Sequence, residues 1–174
     1  LGAADMGLYE RVLADDLLPM LPEQPRTVII DANFPAEVLL AVAQSVPDRT
    51  KLFAAGTSIE KVGRLFPLMA RLDALSLNRA EAGKLTGADD GVAALAGNLS
   101  KKLQKPDSHI LVSDGAGLAA LACGSEVVVR HPPEVELTNA NGAGDAMAAT
   151  FFQACLDMPE AEVDNPLGKL GLAD

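Results

Sequence analysis

The sequence predicts an α/β fold with a mainly parallel sheet, covered by helices on both faces in three α/β/α layers and carrying an antiparallel edge hairpin. Three observations predict it. Short apolar runs (TVIID, KLFA, ALSL) alternate with segments of helical periodicity, which implies right-handed βαβ units. Two β-rich runs flank Gly124-Ser125 and add a hairpin to the sheet. Near the end, Thr138 to Met147 (TNANGAGDAM) is a Gly-rich loop opening an apolar helix.

Composition narrows the function. The 174 residues are 49% apolar and 22% charged, a globular balance that suggests one domain spanning 1–174. Net charge is −10 and no Lys/Arg cluster is longer than Lys101-Lys102, so no basic footprint for nucleic acid or an anionic membrane is visible. No apolar run has the length of a membrane span, and no signal peptide opens the chain. Cys123 and Cys155 lie in apolar surroundings without metal-like spacing, and they read as reduced core thiols of a cytoplasmic protein. His109 and His131 are isolated and read as structural or surface groups. Asn98-Leu99-Ser100 fits a glycosylation pattern but falls within a helix.

The elements follow in order. The chain begins with Leu1, which suggests a start inside a longer protein, and enters on a helical segment from Met6 to Leu21. Thr27 to Asp31 is a continuous apolar run ending in an acid, the pattern of a parallel strand buried on both faces. Asp31 to Pro35 is a loop and cap, and a helix runs from Pro35 to about Val46 with Val38, Leu39, Val42 and Val46 on one face. Lys51 to Ala54 is a second strand, and Ile59 to Arg71 is a helix that Pro67 should break or kink. Ala74 to Leu77 is a third strand. Val92, Leu95, Ala96, Leu99 and Leu103 mark an amphipathic helix that stops before Pro106, and His109 to Val112 is a fourth strand. Ser113 to Gly117 is a turn, and Leu118 to Ala122 pairs with Val127 to Arg130. Pro133 to Thr138 is extended.

Two motifs carry chemistry, and each has a plain alternative. A helix start leaves backbone N–H groups without partners and carries about half a positive charge, so the loop before Ala146 suits a phosphate or a developing anion. Asp145 lies in that first turn, where a general base for an attacking hydroxyl is needed; it would equally suit a simple dipole partner. Met147, Phe151, Phe152, Cys155 and Leu156 cover most of the helix circumference, which predicts a buried central helix. After the third strand, Asn78 and Glu81 share one face of a first helical turn. They can cap that helix reciprocally, or present an amide and a carboxylate at the C-terminal edge of the sheet. Gly83-Lys84 is no Walker A loop, since Leu85 replaces the required Ser/Thr.

Taken jointly, these motifs resemble the C-terminal part of a ribokinase-like, PfkB-type carbohydrate kinase. The match rests on NxxE after a strand (Asn78 to Glu81), SDGAG after a strand (Ser113 to Gly117), a hairpin, and NANGAGDAM. IIDANFP, GTSIEKVGRL and LNRAEAGKLTG most resemble the pseudouridine kinase branch. The resemblance implies a ribokinase-like fold lacking its N-terminal part. It further implies ATP-dependent transfer of phosphate to a sugar or nucleoside hydroxyl, with pseudouridine the best single acceptor. By the same implication Asp145 is the base, Gly142, Ala143 and Gly144 form the anion hole, and Asn78 with Glu81 organises Mg²⁺ through water. Ser113, Gly115 and Asn139 fall where the family lines its adenine nucleotide site. A monovalent cation is a further implied cofactor, and a homodimer the implied full-length assembly.

Departures from the family pattern are specific. Asn139-Ala140 stands for the usual Asp-Thr, Asn141 replaces a common Thr, and Ala54-Ala55-Gly56 stands where relatives often carry Val-Asp-Pro. Gly115 and Gly117 are one residue closer than in the usual nucleotide loop, and Pro159 to Asp174 matches poorly. The competing expectation is a noncatalytic nucleotide-binding relative. A Rossmann oxidoreductase is disfavoured, because no Gly-x-Gly-x-x-Gly follows the first strand.

Overall fold

The computed structural model describes residues 13–133 and 142–158. Among the described residues six strands form one sheet in the order of the sequence: β1 (Thr27–Asp31), β2 (Lys51–Ala55), β3 (Ala74–Asn78), β4 (His109–Ser113), β5 (Ala119–Cys123) and β6 (Glu126–Arg130). β1 to β4 are parallel, and β5 and β6 are antiparallel to their neighbours. The expected mixed sheet with an antiparallel edge is therefore present.

The crossover elements are α2 (Ala36–Ser45), a 3₁₀ helix (Val62–Arg71), α3 (Arg79–Thr86) and α4 (Val92–Ser100). A sheet that adds parallel strands in one direction through right-handed crossovers gathers those crossovers on one face. The core shows this: Leu39, Val42, Leu65, Leu85, Leu95 and Leu99 pack with Leu52, Leu75, Ile110 and Val112, all buried. The opposite face packs against α5 (Ala143–Asp157), whose Phe152 ring stacks on Phe53 of β2 with centroids 5.1 Å apart. A short α1 (Ala14–Leu17) and a 3₁₀ turn (Leu18–Met20) precede β1. They are the described part of the expected Met6 to Leu21 helix.

Three expectations are corrected. β1 is not buried on both faces: Ile29 is 59% exposed, because among the described residues β1 is the outermost strand and α5 packs over β2, β3 and β5 instead. The segment around Pro67 is 3₁₀ from Val62 to Arg71 rather than a broken α-helix, since Pro67 has no N–H to donate within it. The helix carrying Asp145 is not wholly buried: only Ala148, Phe151 and Phe152 are, while Leu156 is 42% exposed. The sheet covers one side of that helix, and apolar side chains around the circumference did not mean cover around the circumference. The expected extended segment Pro133 to Thr138 lies outside the described residues apart from Pro133.

Candidate active site

The parallel strands point their C-terminal ends at one edge of the sheet, where ligands bind in open α/β folds. Asn78 closes β3 and Ser113 closes β4, and the two are paired in register, so the NxxE and SDGAG motifs meet at this edge.

Asn78 and Glu81 form the reciprocal cap. Asn78 Oδ1 accepts from the Glu81 N–H at 2.9 Å, and Glu81 Oε2 accepts from the Asn78 N–H at 3.0 Å. Asn78 is exposed and Glu81 is 4% exposed. Burial pushes the Glu81 carboxyl above its usual range, partly opposed by its hydrogen bonds to Asn78. The carboxylate folds over Gly56 after β2: a side-chain carbon at Gly56 would collide with Glu81 Oε2 and come within 2.7 Å of its carboxyl carbon. Gly56 in place of a bulkier residue is thus what lets Glu81 occupy this place.

Gly142 is the N-cap of α5, with φ +78°, a left-handed conformation that favours glycine. The helix begins at Ala143 rather than at the expected Ala146, so Ala143, Gly144 and Asp145 make up its first turn. Their N–H groups belong to the donors a helix start leaves without internal partners. Among the described residues a Cβ at Gly144 would meet nothing within 4 Å, so no packing there requires a glycine. Asp145 is exposed on this turn. It lines a cavity of about 510 Å³ together with Asp31 at the end of β1, Ala55, Gly56 and Thr57 after β2, and Ala148, Ala149 and Phe152 of α5.

Gly115 is also left-handed, at φ +55°, in the turn joining β4 to β5, where the Gly117 N–H donates to the Asp114 carbonyl at 2.7 Å. Hairpin geometry alone explains both glycines. Arg79 ties this turn to the loop before α4, donating to Asp90 O at 3.0 Å, Asp89 Oδ1 at 3.1 Å and Asp114 Oδ2 at 3.5 Å. Asn139 lies outside the described residues.

The structure therefore unites Asp145 with the Gly56 edge behind which Glu81 sits, and Asn78 with Ser113. Sequence reasoning missed Asp31 and Thr57 as neighbours of Asp145. The available signal was the position of Asp31 at the C-terminal end of an apolar strand. The two thiols are unpaired, and burial raises Cys123 to about 11 and Cys155 to about 12. His109 is buried with its pKa lowered chiefly by desolvation, in line with a structural role.

Two findings from known proteins bear on this arrangement. The pfkB family carbohydrate kinase profile matches residues 26–165, and the chain belongs to that family. Solved structures with the ribokinase-like fold match most of the chain. They include a carbohydrate kinase from Agrobacterium tumefaciens (27% identity, TM-score 0.68, covering 95% of this chain and 53% of that one). An adenosine kinase from Schistosoma mansoni aligns with TM-score 0.63 at 16% identity over 83% of this chain and 48% of its own. A Bacillus subtilis pyridoxal kinase, solved as an ADP complex, aligns with TM-score 0.60 at 14% identity over 78% and 57%. The chain spans about half the length of these structures. No curated protein matches it. Among the described residues, no helix is long and apolar enough to cross a membrane.

The family implies Mg²⁺. Among the described residues no group of three or more His, Cys, Asp or Glu is placed to hold a metal ion, and Asn78 Oδ1 and Glu81 Oε2 each already accept a backbone hydrogen bond. Such a donor set does not make a protein cage. It fits a Mg²⁺ that keeps waters and is carried by substrate phosphates, the usual habit of that ion at phosphate sites.

Proposed function

We propose that this chain carries the phosphoryl-transfer centre of a kinase that moves the γ-phosphoryl group of ATP to a hydroxyl of a sugar or nucleoside. The single observation that carries the reading is Asp145: a carboxylate in the first turn of α5, beside helix-start amides that have no partner within the helix, and lining a cavity of about 510 Å³. The acceptor hydroxyl lies in that cavity and gives its proton to Asp145 as it attacks. The amides of Gly142, Ala143 and Gly144 receive the charge of the transferring group, at a helix start whose dipole favours negative charge. The nucleotide lies toward Ser113 and Gly115 across the edge from Asn78. Asn78 and Glu81 would hold Mg²⁺ through water, and the ion when bound would supply positive charge to the phosphates.

Pseudouridine is the acceptor we favour. The motifs that carry that resemblance, IIDANFP and GTSIEKVGRL, form one structural unit. Lys61 Nζ donates to Asn33 Oδ1 at 3.2 Å and Arg64 NH1 donates to Asn33 O at 2.8 Å. The unpaired Cys123 and Cys155 agree with work in the reducing cytoplasm.

Calorimetric titration tests the class. ATP with Mg²⁺ binds and NAD does not compete if the reading is right; NAD binding without ATP binding rejects it. ATP binding without turnover in the complete gene product would make the protein a noncatalytic nucleotide binder.

A further inference from the structure

We infer that Asp31, assisted by Thr57, binds hydroxyl groups of the acceptor and selects neutral polyhydroxylated molecules over anionic ones; the inference rests on the phosphotransfer reading above. The cavity beside Asp145 is mostly apolar, with Ile29, Phe34, Met20 and Phe152 among its walls. Its only polar side chains among the described residues are Asp31, Thr57 and Asp145, and no Lys or Arg lines it. The cavity runs round the β1 edge, since Val28, Ile30, Leu39 and Val42 of the opposite core line it too; strand alternation sets Asp31 on the α5 side, the side of Asp145.

The Asp31 carboxylate is held in place before any ligand arrives. The Asn33 N–H donates to Oδ1 at 2.9 Å and Asn33 Nδ2 donates to Oδ2 at 3.0 Å. Lys61 Nζ donates to Asn33 Oδ1 at 3.2 Å, which fixes the end of the amide that faces Asp31. Each carboxylate oxygen accepts more than one hydrogen bond, so both oxygens retain capacity for a pair of adjacent hydroxyls. An ionised carboxylate is acceptor-only and therefore reads O–H donors. Among the described residues no cation lines the cavity, the nearby Lys61 and Arg64 being engaged with Asn33 and the backbone around it, so the two carboxylates repel a carboxylate or phosphate on the acceptor itself. The chemistry selects a neutral sugar, polyol or nucleoside, with the apolar wall left for a ring face or for covering chain.

Saturation-transfer NMR and calorimetry on the chain, which together read weak and strong binding, test this with pseudouridine, ribose, ribonate and ATP as probes. Wild type should bind pseudouridine and ribose and prefer ribose to ribonate. Asp31→Asn should weaken pseudouridine and ribose about ten- to a hundredfold, the scale of hydrogen bonds to a charged group, and narrow the preference against ribonate. ATP affinity should stay within about twofold, which also shows that the variant is folded. Thr57→Val supplies a second perturbation of the same subsite, with a smaller expected loss and ATP binding again retained. Undiminished pseudouridine and ribose binding in both variants overturns the inference and leaves the kinase reading in place. So does a wild-type chain that binds ATP but no hydroxyl probe, or one that prefers ribonate. Absence of both ATP and hydroxyl-probe binding in the wild type overturns the kinase reading, and this inference with it.

Discussion

Gly56→Ala tests the packing of Glu81 over Gly56. The added methyl collides with Glu81 Oε2 and comes within 2.7 Å of the Glu81 carboxyl carbon and 2.9 Å of Leu77 Cδ2. Leu77 is buried in the core and cannot yield freely, so the carboxylate must leave. Its departure removes the hydrogen bond to the Asn78 N–H, worth about 1 kcal/mol, and residual overpacking adds about 1–2 kcal/mol. The expected loss is about 2–3 kcal/mol, or roughly 4–12 °C in Tm for a chain of this size. Urea unfolding of the two single variants and the Gly56→Ala/Glu81→Ala double variant measures it. Removing the Glu81 side chain vacates the space, so the double variant should lose less than the sum of the singles by at least about 1 kcal/mol. Additive losses, or a Gly56→Ala variant within about 0.5 kcal/mol of wild type, would show that Glu81 does not rest on Gly56.

Three further outcomes are expected. Burial lowers the His109 pKa below its ordinary 6.5, so its contribution to stability is fully present above that value and is lost as pH falls through the folded value, because the unfolded chain takes up the proton first. Unfolding free energies at about pH 7.5 and pH 5.5 should differ less in His109→Asn than in wild type, and an equal difference would contradict the assignment. Glu81 has the opposite sign: its raised pKa makes its contribution largest below the ordinary carboxyl value of 4.5 and smaller as pH rises through the folded value, so it does not cause the acid loss. Gly144→Ala should leave stability unchanged or raise it by up to about 1 kcal/mol, while reducing turnover at least about tenfold by placing a methyl over the anion-binding amides; unaltered turnover would clear Gly144 of that role. Phe152→Ala should cost about 3–5 kcal/mol by denaturant unfolding, because it empties the stack that holds α5 on β2, and a loss under about 1 kcal/mol would contradict that packing.

Much of this was legible in the chain itself. Apolar runs bounded by Gly, Pro and polar residues located all six strands, and Gly124-Ser125 located the second hairpin turn. Asn78 and Glu81 were expected on one helical face, and both bonds of the reciprocal cap are present. What escaped depends on which element lies next to which. TVIID has the composition of an internal strand, yet its register beside β2 alone leaves Ile29 in the open. The apolar circumference of α5 could not reveal that one face meets the sheet. The proximity of Asp31 to Asp145 joins residues more than a hundred positions apart, a juxtaposition no local spacing encodes. Glu81 over Gly56 is a further long-range contact, and it gives a packing reason for the departure Ala54-Ala55-Gly56. Gly115 shows the converse: a residue placed by resemblance at the nucleotide site also sits where the β4–β5 turn takes a left-handed conformation, and that turn accounts for the departure in its spacing to Gly117.

In the kinase reading proposed above, Asp145 accepts the hydroxyl proton during phosphoryl transfer from ATP. The most direct measurement compares Asp145→Asn with wild type in the complete gene product, following ADP formation with pseudouridine and a panel of neutral sugars as acceptors and measuring ATP affinity alongside. Asparagine keeps the size and first-turn position of the side chain but cannot take the proton. Turnover should fall by about 10² to 10⁴ while ATP affinity changes little. Wild-type turnover in the Asp145→Asn enzyme would rule out this role and leave Asp145 as a partner of the helix dipole alone.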